Sequence, residues 1–223
     1  MILAAGRGER LRPLTDRLPK ALVELGGRPL IAWHIGKLAR AGIRDIVVNV
    51  SHLGAMIEAR IGGGEAWGAS IAYSREAVAL ETAGGIAMAR ALLGDAPFFL
   101  VNADVFCDAD FGAFAARALE GRLAHLLLVP NPGFRPGGDF SLAAGRVGNA
   151  AAPRYTYAGI ALVAPRLVDG VPAGAKLPLG PILQQAAARQ QVSGELHHGL
   201  WSDVGTAERL AALEATIRKD RNR

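Results

Sequence analysis

Cysteine is nearly absent from this sequence, since Cys107 is the single one among 223 residues. One cysteine excludes an intramolecular disulfide and a structural zinc site built on cysteines. A protein without disulfides is typical of a reducing compartment, so we expect a cytoplasmic location. Long hydrophobic runs are also absent, because no uninterrupted apolar stretch approaches the roughly 20 residues that a membrane helix needs. The sequence therefore predicts no membrane-spanning segment.

Charged residues are sparse as well, at 20% of the chain, and they sum to a modest +5. Part of that excess lies in the basic run 218–223, which we interpret as a solvated helix end. No nucleic-acid motif and no interleaving of aromatic and basic residues is present. We therefore expect neither a nucleic acid nor a membrane as partner, while a monomer and a homo-oligomer both stay open.

Glycine is the residue that the sequence has in excess. The 28 glycines are about 13% of the chain, against an average usage of roughly 7%. They follow no collagen period and form no low-complexity block, so we expect them to have positional roles. The apolar start, Met1 to Gly6, is too short for the core of a signal peptide and has no basic residues before it, so no leader is expected.

The first half of the chain alternates apolar runs with stretches of helical spacing. We expect strands at 2–5, 43–50, 70–73, 98–101 and 124–129, and helices at 30–41, 53–61, 85–93 and 111–119. Such alternation predicts a three-layer, Rossmann-like α/β fold, with a mostly parallel mixed sheet flanked by helices. Ligands of these sheets bind at the carboxyl ends of the strands, which points to residues 6–20 and 102–104.

The second half, after residue 130, is richer in glycine, proline and alanine. We expect short antiparallel strands at 140–142 and 146–147, further strands at 155–163 and 196–201, and helices at 181–189 and 206–218. No linker is long enough to divide the chain. We therefore expect one domain over 1–223, with halves at 1–130 and 131–223, the second of them β-rich and ending in a closing helix.

A glycine-rich, basic loop follows the first strand. Gly6 and Gly8 let backbone N–H groups approach an anion closely. Positive charge is concentrated beside them at Arg7, Arg10, Arg12 and Lys20. The combination suits a polyphosphate. The loop is not a Walker loop, it lacks the third glycine of the dinucleotide fingerprint, and its glycine spacing alone fits a plain turn with surface arginines equally well.

The whole segment from Leu3 to Thr15 reads LAAGRGERLRPLT, and Pro19-Lys20 follows it. It resembles the signature of the sugar-1-phosphate nucleotidylyltransferases, GxGxRLxPLT followed by PK, with Glu9 where that family commonly has Thr. Later landmarks appear in the family's order, namely LETAGG at 80–85, NAD at 102–104, YAGI at 157–160 and WSDVGT at 201–206. The resemblance implies the nucleotide-diphospho-sugar transferase fold, with 1–130 as the nucleotide-binding half and a small β-rich sugar-binding lobe in 131–223.

The family joins a nucleoside triphosphate to a sugar 1-phosphate and releases pyrophosphate. Such a transfer depends on positioning and on neutralising negative charge. The resemblance implies catalytic roles for Arg10, Lys20 and Asp104, and a Mg²⁺ ion held by Asp104 and Asp203. Two carboxylates with phosphate oxygens and water are a typical Mg²⁺ environment. A helix cap or turn residue is the alternative for both aspartates.

The resemblance also assigns the residues that bind each substrate. Nucleotide-binding positions are Leu3, Ala4, Ala5, Gly6, Arg7, Gly8, Glu9, Arg10, Lys20, Glu76, Glu81, Thr82, Gly85 and Asn102. Sugar-binding positions are Gly138, Asp139, Tyr157, Gly159 and Lys176. Glu76 and Glu81 are candidate acceptors for the N3–H of a uracil base, and a role as ordinary loop glutamates is equally open. Many relatives carry Asn where Tyr157 stands.

Within the family, the chain most closely resembles the N-acetylmuramic acid 1-phosphate uridylyltransferases, which use UTP and make UDP-N-acetylmuramic acid in the recycling of cell-wall peptidoglycan. The resemblance lies in RGER at 7–10, LET at 80–82, NPG at 131–133, GDF at 138–140 and VSGE at 192–195. A mannose-1-phosphate guanylyltransferase is the first alternative, and a uridylyl- or thymidylyltransferase for glucose 1-phosphate is the second. A regulatory protein that binds nucleotide sugars is the non-enzymatic alternative.

The remaining cysteine and histidines receive structural interpretations. Cys107 is expected to be a small buried side chain without a catalytic role. His197 and His198 are neighbours on a predicted strand, so their side chains should point to opposite faces. We therefore expect no metal site from that pair.

Overall fold

The computed structural model describes residues 1–221, and Asn222 and Arg223, which end the basic C-terminal run, lie outside the described residues. The strands are β1 (Ile2–Leu3), β2 (Glu24–Leu25), β3 (Arg28–Pro29), β4 (Asp45–Val50), β5 (Ser70–Arg75), β6 (Phe98–Asn102), β7 (Val105–Cys107), β8 (Ala124–Val129), β9 (Phe140–Ala143), β10 (Arg146–Gly148), β11 (Arg154–Val163), β12 (Val192–Leu196) and β13 (Trp201–Asp203). The α-helices are α1 (Leu30–Arg40), α2 (Gly54–Ile61), α3 (Glu81–Met88), α4 (Arg90–Leu93), α5 (Phe111–Ala115), α6 (Leu179–Ala188) and α7 (Ala207–Arg221).

Nine strands form one sheet in the order β5-β4-β1-β6-β11-β8-β12-β10-β9. Pairing is parallel from β5 through β6 and again between β8 and β12, whereas β11 runs antiparallel to both of its neighbours. The short strands β9 and β10 pair antiparallel at one edge, as the glycine-rich second half predicts. The expected α/β fold, a mixed sheet flanked by helices, is confirmed.

Two hydrophobic cores cover the two faces of this sheet. Along β8, Leu127 and Val129 belong to one core, while Leu126 and Leu128 belong to the other. This alternation follows from the period of two along a strand, and burial on both faces explains why β8 is an uninterrupted apolar run. Helices α1, α2 and α5 pack into the first core, and α3 and α6 pack into the second.

A separate two-stranded ribbon joins two distant parts of the chain. Strand β7 pairs antiparallel with β13, so that Cys107 lies opposite Trp201 and Val105 lies opposite Asp203. The expected continuous strand at 196–201 is wrong, because β12 ends at Leu196 and residues 197–200 cross from the sheet to the ribbon. The backbone N–H of Asp108 donates to the carbonyl of Leu200 at 2.9 Å, which attaches the crossing segment to the end of β7.

The helices agree with the expected ones apart from their ends and apart from 85–93, where α3 begins at Glu81 and ends at Met88 and the separate helix α4 follows at Arg90–Leu93. The expected helix at 111–119 is shorter, since α5 ends at Ala115, and the closing helix α7 runs further, to Arg221. Within the described residues, none of the helices has both the length and the apolar character needed to cross a membrane. Cys107 is buried, with 2% of its surface exposed, as expected.

Candidate active site

A cleft of about 650 Å³ opens at the carboxyl ends of β1 and β6. Its lining consists of Leu3, Ala4, Ala5, Gly6, Arg7, Gly8, Glu9, Arg10, Lys20, Ala21, Asn49, Ala79, Glu81, Thr82, Asn102, Ala103, Asp104, Lys176 and Gly205. The cleft thus brings together the basic loop, the turn after β6 and the start of α3, which lie far apart in sequence. Four lysines and arginines and three acidic residues face it, so that the lining carries an excess of one positive charge (4 − 3), which favours an anion.

A chain of buried hydrogen bonds holds the loop after β1. The Ala4 N–H donates to Oδ1 of Asn49 at 2.8 Å, and Nδ2 of Asn49 donates to Oε1 of Glu76 at 2.7 Å. The other carboxylate oxygen of Glu76 accepts from the Leu80 N–H at 2.8 Å. Sequence reasoning missed Asn49. The available signal was a single amide side chain within the apolar run of β4.

Gly8 fixes the path of the loop beside Lys20. Its φ is +67°, in the left-handed region that favours glycine. A Cβ at this position would lie 3.0 Å from Cγ2 of Thr15 and 3.1 Å from Cβ of Lys20, both tight contacts. The Gly8 carbonyl accepts from the Thr15 hydroxyl at 2.8 Å. The second glycine of the motif therefore allows the loop to pack directly on the residues that follow it.

Lys20 is the centre of the charge arrangement at the end of β6. Only 9% of its side chain is exposed. Its Nζ donates to Oδ2 of Asp104 at 2.5 Å and lies 3.9 Å from Oδ1 of Asp203. The ribbon brings the two aspartates together, because Asp104 directly precedes β7 and Asp203 ends β13 opposite Val105. One buried cation thus lies between two carboxylates at the floor of the cleft.

Asp203 has further cationic neighbours. Its Oδ2 lies 3.6 Å from an N atom of Arg10 and 3.2 Å from Nη1 of Arg209. Within the part of the chain that the structure describes, Oδ1 of Asp203 is buried and accepts no hydrogen bond. Arg209 lies on α7 and was missed by sequence reasoning, since nothing in the local pattern distinguishes it from a solvated helix arginine.

The nearby helices do not use Asp104 or Asp203 as N-caps. Asp110 caps α5 by accepting from the N–H groups of Gly112 and Ala113. At the start of α7, the Thr206 hydroxyl accepts from the Arg209 N–H. Both aspartates are therefore available for a role in the cleft, and the capping alternative does not describe them.

The opposite wall is formed by the start of α3 and the segment before α6. Glu81 and Thr82 line the cleft, and Glu81 adopts a left-handed φ of +62°. A Cβ on Gly84 would overlap the carbonyl oxygen of Ala175. This glycine therefore lets residues 175–177 pack against α3, which places Lys176 at the rim of the cleft.

Glu76, Gly85 and Gly159 lie behind the cleft wall and support it. Glu76 is 5% exposed, and a Cβ on Gly85 would lie 2.7 Å from its Oε1. Gly159, with a φ of +75°, lies where the register between β11 and β8 shifts, and a Cβ there would meet Nδ2 of Asn102 at 2.7 Å. The two glycines give space to the neighbouring polar side chains of Glu76, Asn49 and Asn102. Of these neighbours, Glu76 and Asn102 were predicted to bind nucleotide.

The predicted sugar-binding residues other than Lys176 do not line this cleft. Asp139 has both carboxylate oxygens engaged, one by Arg135 and one by the Tyr157 N–H, each at 2.8 Å. Gly138 adopts a φ of +59° in the turn before it. Burial raises the pKa of the Tyr157 phenol. Together they form a polar turn at the start of β9 and β11.

Comparison with known proteins identifies the family to which this chain belongs. The model of the family described as nucleotidyl transferase matches residues 1–131, which include the basic loop, Lys20 and Asp104. The chain belongs to the nucleotidyl transferase family.

Relatives of similar length support this membership over the whole chain. The chain is 48% identical to the N-acetylmuramate alpha-1-phosphate uridylyltransferase of Neisseria meningitidis, over 96% of both chains. It is 35% identical to the protein of the same name from Caulobacter vibrioides, over 97% of this chain and 96% of that one. Both are nucleotidyltransferases, and so is this member of the family.

Solved structures show the same fold. A structure named as a glucose-1-phosphate thymidylyltransferase, from Bacillus anthracis, matches with a TM-score of 0.86 at 22% identity, over 97% of this chain and 94% of that one. At this identity the likeness concerns the fold. The nucleotidyl transferase fold thus extends beyond residue 131, through the ribbon and α7.

Proposed function

We propose that this nucleotidyltransferase transfers UMP from UTP to N-acetylmuramic acid 1-phosphate, giving the UDP-sugar and pyrophosphate. The observation that carries the proposal is the buried Lys20 between Asp104 and Asp203, facing the glycine-rich loop across one electropositive cleft. The choice of substrates is supported by the names of the two relatives that match nearly the full chain. An oxygen of the sugar phosphate attacks the α-phosphorus in line, and pyrophosphate leaves.

In this proposal, charge neutralisation is the main contribution of the protein. Two anionic substrates repel each other, so the site must supply positive charge where they meet. The backbone N–H groups of the loop from Ala4 to Glu9 and the guanidinium of Arg10 bind the β- and γ-phosphates. Lys20 binds the α-phosphate, where its burial strengthens the electrostatic interaction.

The residues present fit a Mg²⁺ ion. The buried Oδ1 of Asp203 accepts no hydrogen bond among the described residues, and the Asp104 carboxylate lies on the other side of Lys20. Hard carboxylate oxygens are the ligands that Mg²⁺ prefers. We propose that Asp104 and Asp203 hold the ion. When bound, it would neutralise phosphate oxygens and help to orient them.

We propose that the base contacts the wall between β1 and α3. Leu3 to Gly6 supply backbone groups and apolar surface, Gly85 and Glu76 support the wall, and Glu81 with Thr82 supplies polar groups. Glu81 is the better candidate for accepting the base N3–H, because both Glu76 oxygens already accept hydrogen bonds from the protein. Asn102 faces the ribose and phosphates from the end of β6.

We also propose which part of the chain binds each substrate. Residues 1–130 bind the nucleotide, and residues 131–223 bind the sugar and close the fold with α7. Lys176 lines the cleft opposite Lys20 and is suited to the phosphate of the sugar 1-phosphate. The turn around Gly138 and Asp139, with Tyr157 and Gly159, lies on the same half of the chain, and we propose that it contacts the sugar beyond the cleft lining.

A panel of substrates tests the proposal. Purified protein with Mg²⁺ should release pyrophosphate fastest from UTP with N-acetylmuramic acid 1-phosphate. GTP with mannose 1-phosphate, and UTP or dTTP with glucose 1-phosphate, are the competing pairs. A clear preference for one of those pairs would overturn the choice of substrates. Binding of the UDP-sugar without turnover of any pair would favour a regulatory protein instead.

A variant of one carboxylate tests the roles in the cleft. Asp104→Asn keeps the size of the side chain but removes its charge, so we expect pyrophosphate release to fall by about 10³-fold or more. The far-UV circular dichroism and the melting temperature should stay close to those of the native protein. The control is Asp95→Asn, because the Asp95 side chain is 96% exposed on the surface. Full activity of Asp104→Asn would remove this residue from the metal site.

A further inference from the structure

A second group of polar side chains lies at the far end of the ribbon that carries the cleft aspartates. The thiol of Cys107, a carboxylate oxygen of Asp108 and a ring nitrogen of His197 all lie within 4.8 Å of one another. Cys107 ends β7, and His197 begins the segment that crosses from β12 to β13. Because Cys107 and Asp108 lie about 90 residues before His197 in the sequence, no local motif reveals the group.

The fold holds these three residues in place from several directions. Nε2 of His197 donates to Oδ1 of Asp108 at 2.6 Å. The Asp108 backbone N–H donates to the Leu200 carbonyl at 2.9 Å. A Cβ on Gly199 would overlap the Asp108 carboxylate and lie 2.7 Å from Nε2 of His197, so the crossing segment covers the pair closely. The amine of Lys37 donates to the carbonyl of Cys107 and fixes the end of β7 from the other side.

We propose that Cys107, Asp108 and His197 form a binding site for a divalent transition metal of the zinc class, separate from the Mg²⁺ site proposed in the cleft. Thiolate sulfur with imidazole nitrogen is a ligand set that zinc and cobalt accept and that Mg²⁺ does not. Three protein ligands with a solvent molecule complete a four-coordinate site.

The distances need only a small adjustment. Two ligands of a four-coordinate zinc lie about 3.6 Å apart, given zinc–sulfur and zinc–nitrogen distances of about 2.3 and 2.0 Å. The observed upper limit of 4.8 Å therefore requires a contraction of about 1 Å. Because Nε2 of His197 and Oδ1 of Asp108 already lie 2.6 Å apart, the contraction must bring both of them closer to the Cys107 thiol. The Asp108 side chain is half exposed, which opens the site to solvent.

Binding requires a defined movement of protons. Burial raises the pKa of the Cys107 thiol to about 11, so the metal-free site holds a neutral thiol. When the metal binds, the sulfur–metal bond replaces the S–H bond and the proton leaves to solvent. The His197 ring, whose hydrogen lies on Nε2 in the bond to Asp108, changes tautomer, so that the hydrogen moves to Nδ1 and the Nε2 lone pair becomes available to the metal. The hydrogen bond to Asp108 is lost in this step. A thiolate and a carboxylate then balance the two positive charges of the metal.

The experiment uses Co²⁺ as an optical probe of the full-length protein. Co²⁺ bound to a thiolate has a sulfur-to-metal charge-transfer absorption in the near ultraviolet. Because Cys107 is the single cysteine, this absorption reports on the proposed site alone. We expect it to saturate at one equivalent, to disappear on adding Zn²⁺ and to persist in excess Mg²⁺. Absence of the absorption from native, reduced protein would overturn the proposal.

Variants of neighbouring histidines provide a matched pair. His197→Gln should weaken Co²⁺ binding by about 100-fold, whereas His198→Gln, at an exposed position one residue further, should leave it unchanged. Cys107→Ser should abolish the charge-transfer absorption, and thermal unfolding will verify that each variant is folded. Equal effects of the two histidine variants would overturn the assignment of ligands.

A final variant separates this proposal from the proposed function. Asp104→Asn should remove turnover but leave the charge-transfer absorption intact, because the two sites have no ligand in common. Loss of the absorption in that variant would mean that Co²⁺ binding at Cys107 depends on the cleft aspartate, and it would overturn the claim of a separate site. Failure of the substrate panel, by contrast, would leave the Co²⁺ result untouched.

Discussion

The cleft wall on the side of β1 is built differently from the turn that follows residue 130, which lies outside the cleft lining. On the side of β1, buried hydrogen bonds link Ala4, Asn49 and Glu76, and Lys20 is almost fully covered. On the side that follows residue 130, the polar turn around Asp139 pairs with Arg135, whose side chain is 55% exposed. The first side is a preorganised wall, whereas the second is a surface turn with its polar groups already engaged.

This difference assigns different sensitivities to the two substrates. Preorganised donors stabilise a developing charge without rearranging, so changes on the first side should lower the rate itself. Exposed side chains are screened by solvent, so changes on the second side should act mainly on affinity. We expect the two sides to be separable by kinetics.

The largest expected effect comes from comparing two lysines that line the same cleft. Lys20→Met should lower kcat by about 10³-fold, because it removes a buried cation and leaves Asp104 and Asp203 without it. Lys176→Met should raise the KM for the sugar 1-phosphate by about tenfold and change kcat little, because Lys176 is exposed at the rim. Equal losses of kcat in both variants would contradict the expectation that Lys20 acts on the rate and Lys176 on affinity. Steady-state pyrophosphate release measures both parameters.

Acidification should act on the preorganised side through His34 of α1. Its Nε2 bonds the Val105 carbonyl at 2.8 Å beneath the ribbon, and its Nδ1 is buried without a partner among the described residues. Burial lowers the pKa of His34 to about 4. The unfolded chain takes up this proton near pH 6.5, so the free energy of unfolding should fall by roughly 3 kcal/mol from pH 6.5 to pH 4.

The contribution of His34 is complete above pH 6.5 and is lost as the pH falls toward 4. Urea titrations at several pH values measure it. His34→Gln cannot be protonated there, so its stability should depend less on pH across the same interval. An unchanged slope in this variant would assign the acid sensitivity to other groups, His125 among them, since burial also lowers the pKa of that residue.

Gly84 tests the contact between α3 and residues 175–177. Gly84→Ala would place a Cβ on the carbonyl of Ala175, so residues 175–177 must move away from α3. We expect a loss of about 2 kcal/mol in stability and a raised KM for the sugar 1-phosphate. Gly180→Ala is the control, because nothing lies within 4 Å of its added Cβ, and it should be neutral or slightly stabilising. A neutral Gly84→Ala variant would contradict the close approach.

The smallest expected effect concerns the hydrogen bonds behind the nucleotide wall. Asn49→Ala removes the acceptor of the Ala4 N–H and the donor to Glu76, so the free energy of unfolding should fall by about 1–3 kcal/mol. The KM for UTP should rise as the loop loosens. Asn149→Ala serves as control: its side chain is exposed and donates only to the Gln184 carbonyl, so the KM for UTP should stay unchanged and the loss of stability should be smaller. An unchanged KM in Asn49→Ala would mean that the wall does not depend on this link.

The sequence was sufficient to predict the parts of the site that follow from local chemistry. Gly8, Lys20 and Asp104 lie in or next to short motifs whose residue types bind phosphate and metal, and the structure brings these three together. Uninterrupted apolar runs also predicted strands β6 and β8, because both strands are buried on both faces. These features depend on short stretches of chain.

The missed features depend on partners far away in the sequence. Asn49 acts through Ala4 and Glu76, and Arg209 acts through Asp203, contacts that exist only in the folded chain. The expected strand at 196–201 failed for the same reason, because the apolar pattern of Leu196 and Trp201 belongs to two different pairings. A local pattern does not reveal that the chain changes partners between them.

The ribbon of β7 and β13 has a consequence for cooperativity. It supplies one aspartate from the turn before one strand and the other from the end of its partner, and neither strand pairs with the large sheet. A fluctuation that breaks the three residue pairs of this ribbon would therefore move both carboxylates away from Lys20 in a single event. We therefore expect the two acids to leave their positions together, without an intermediate in which only one of them is in place.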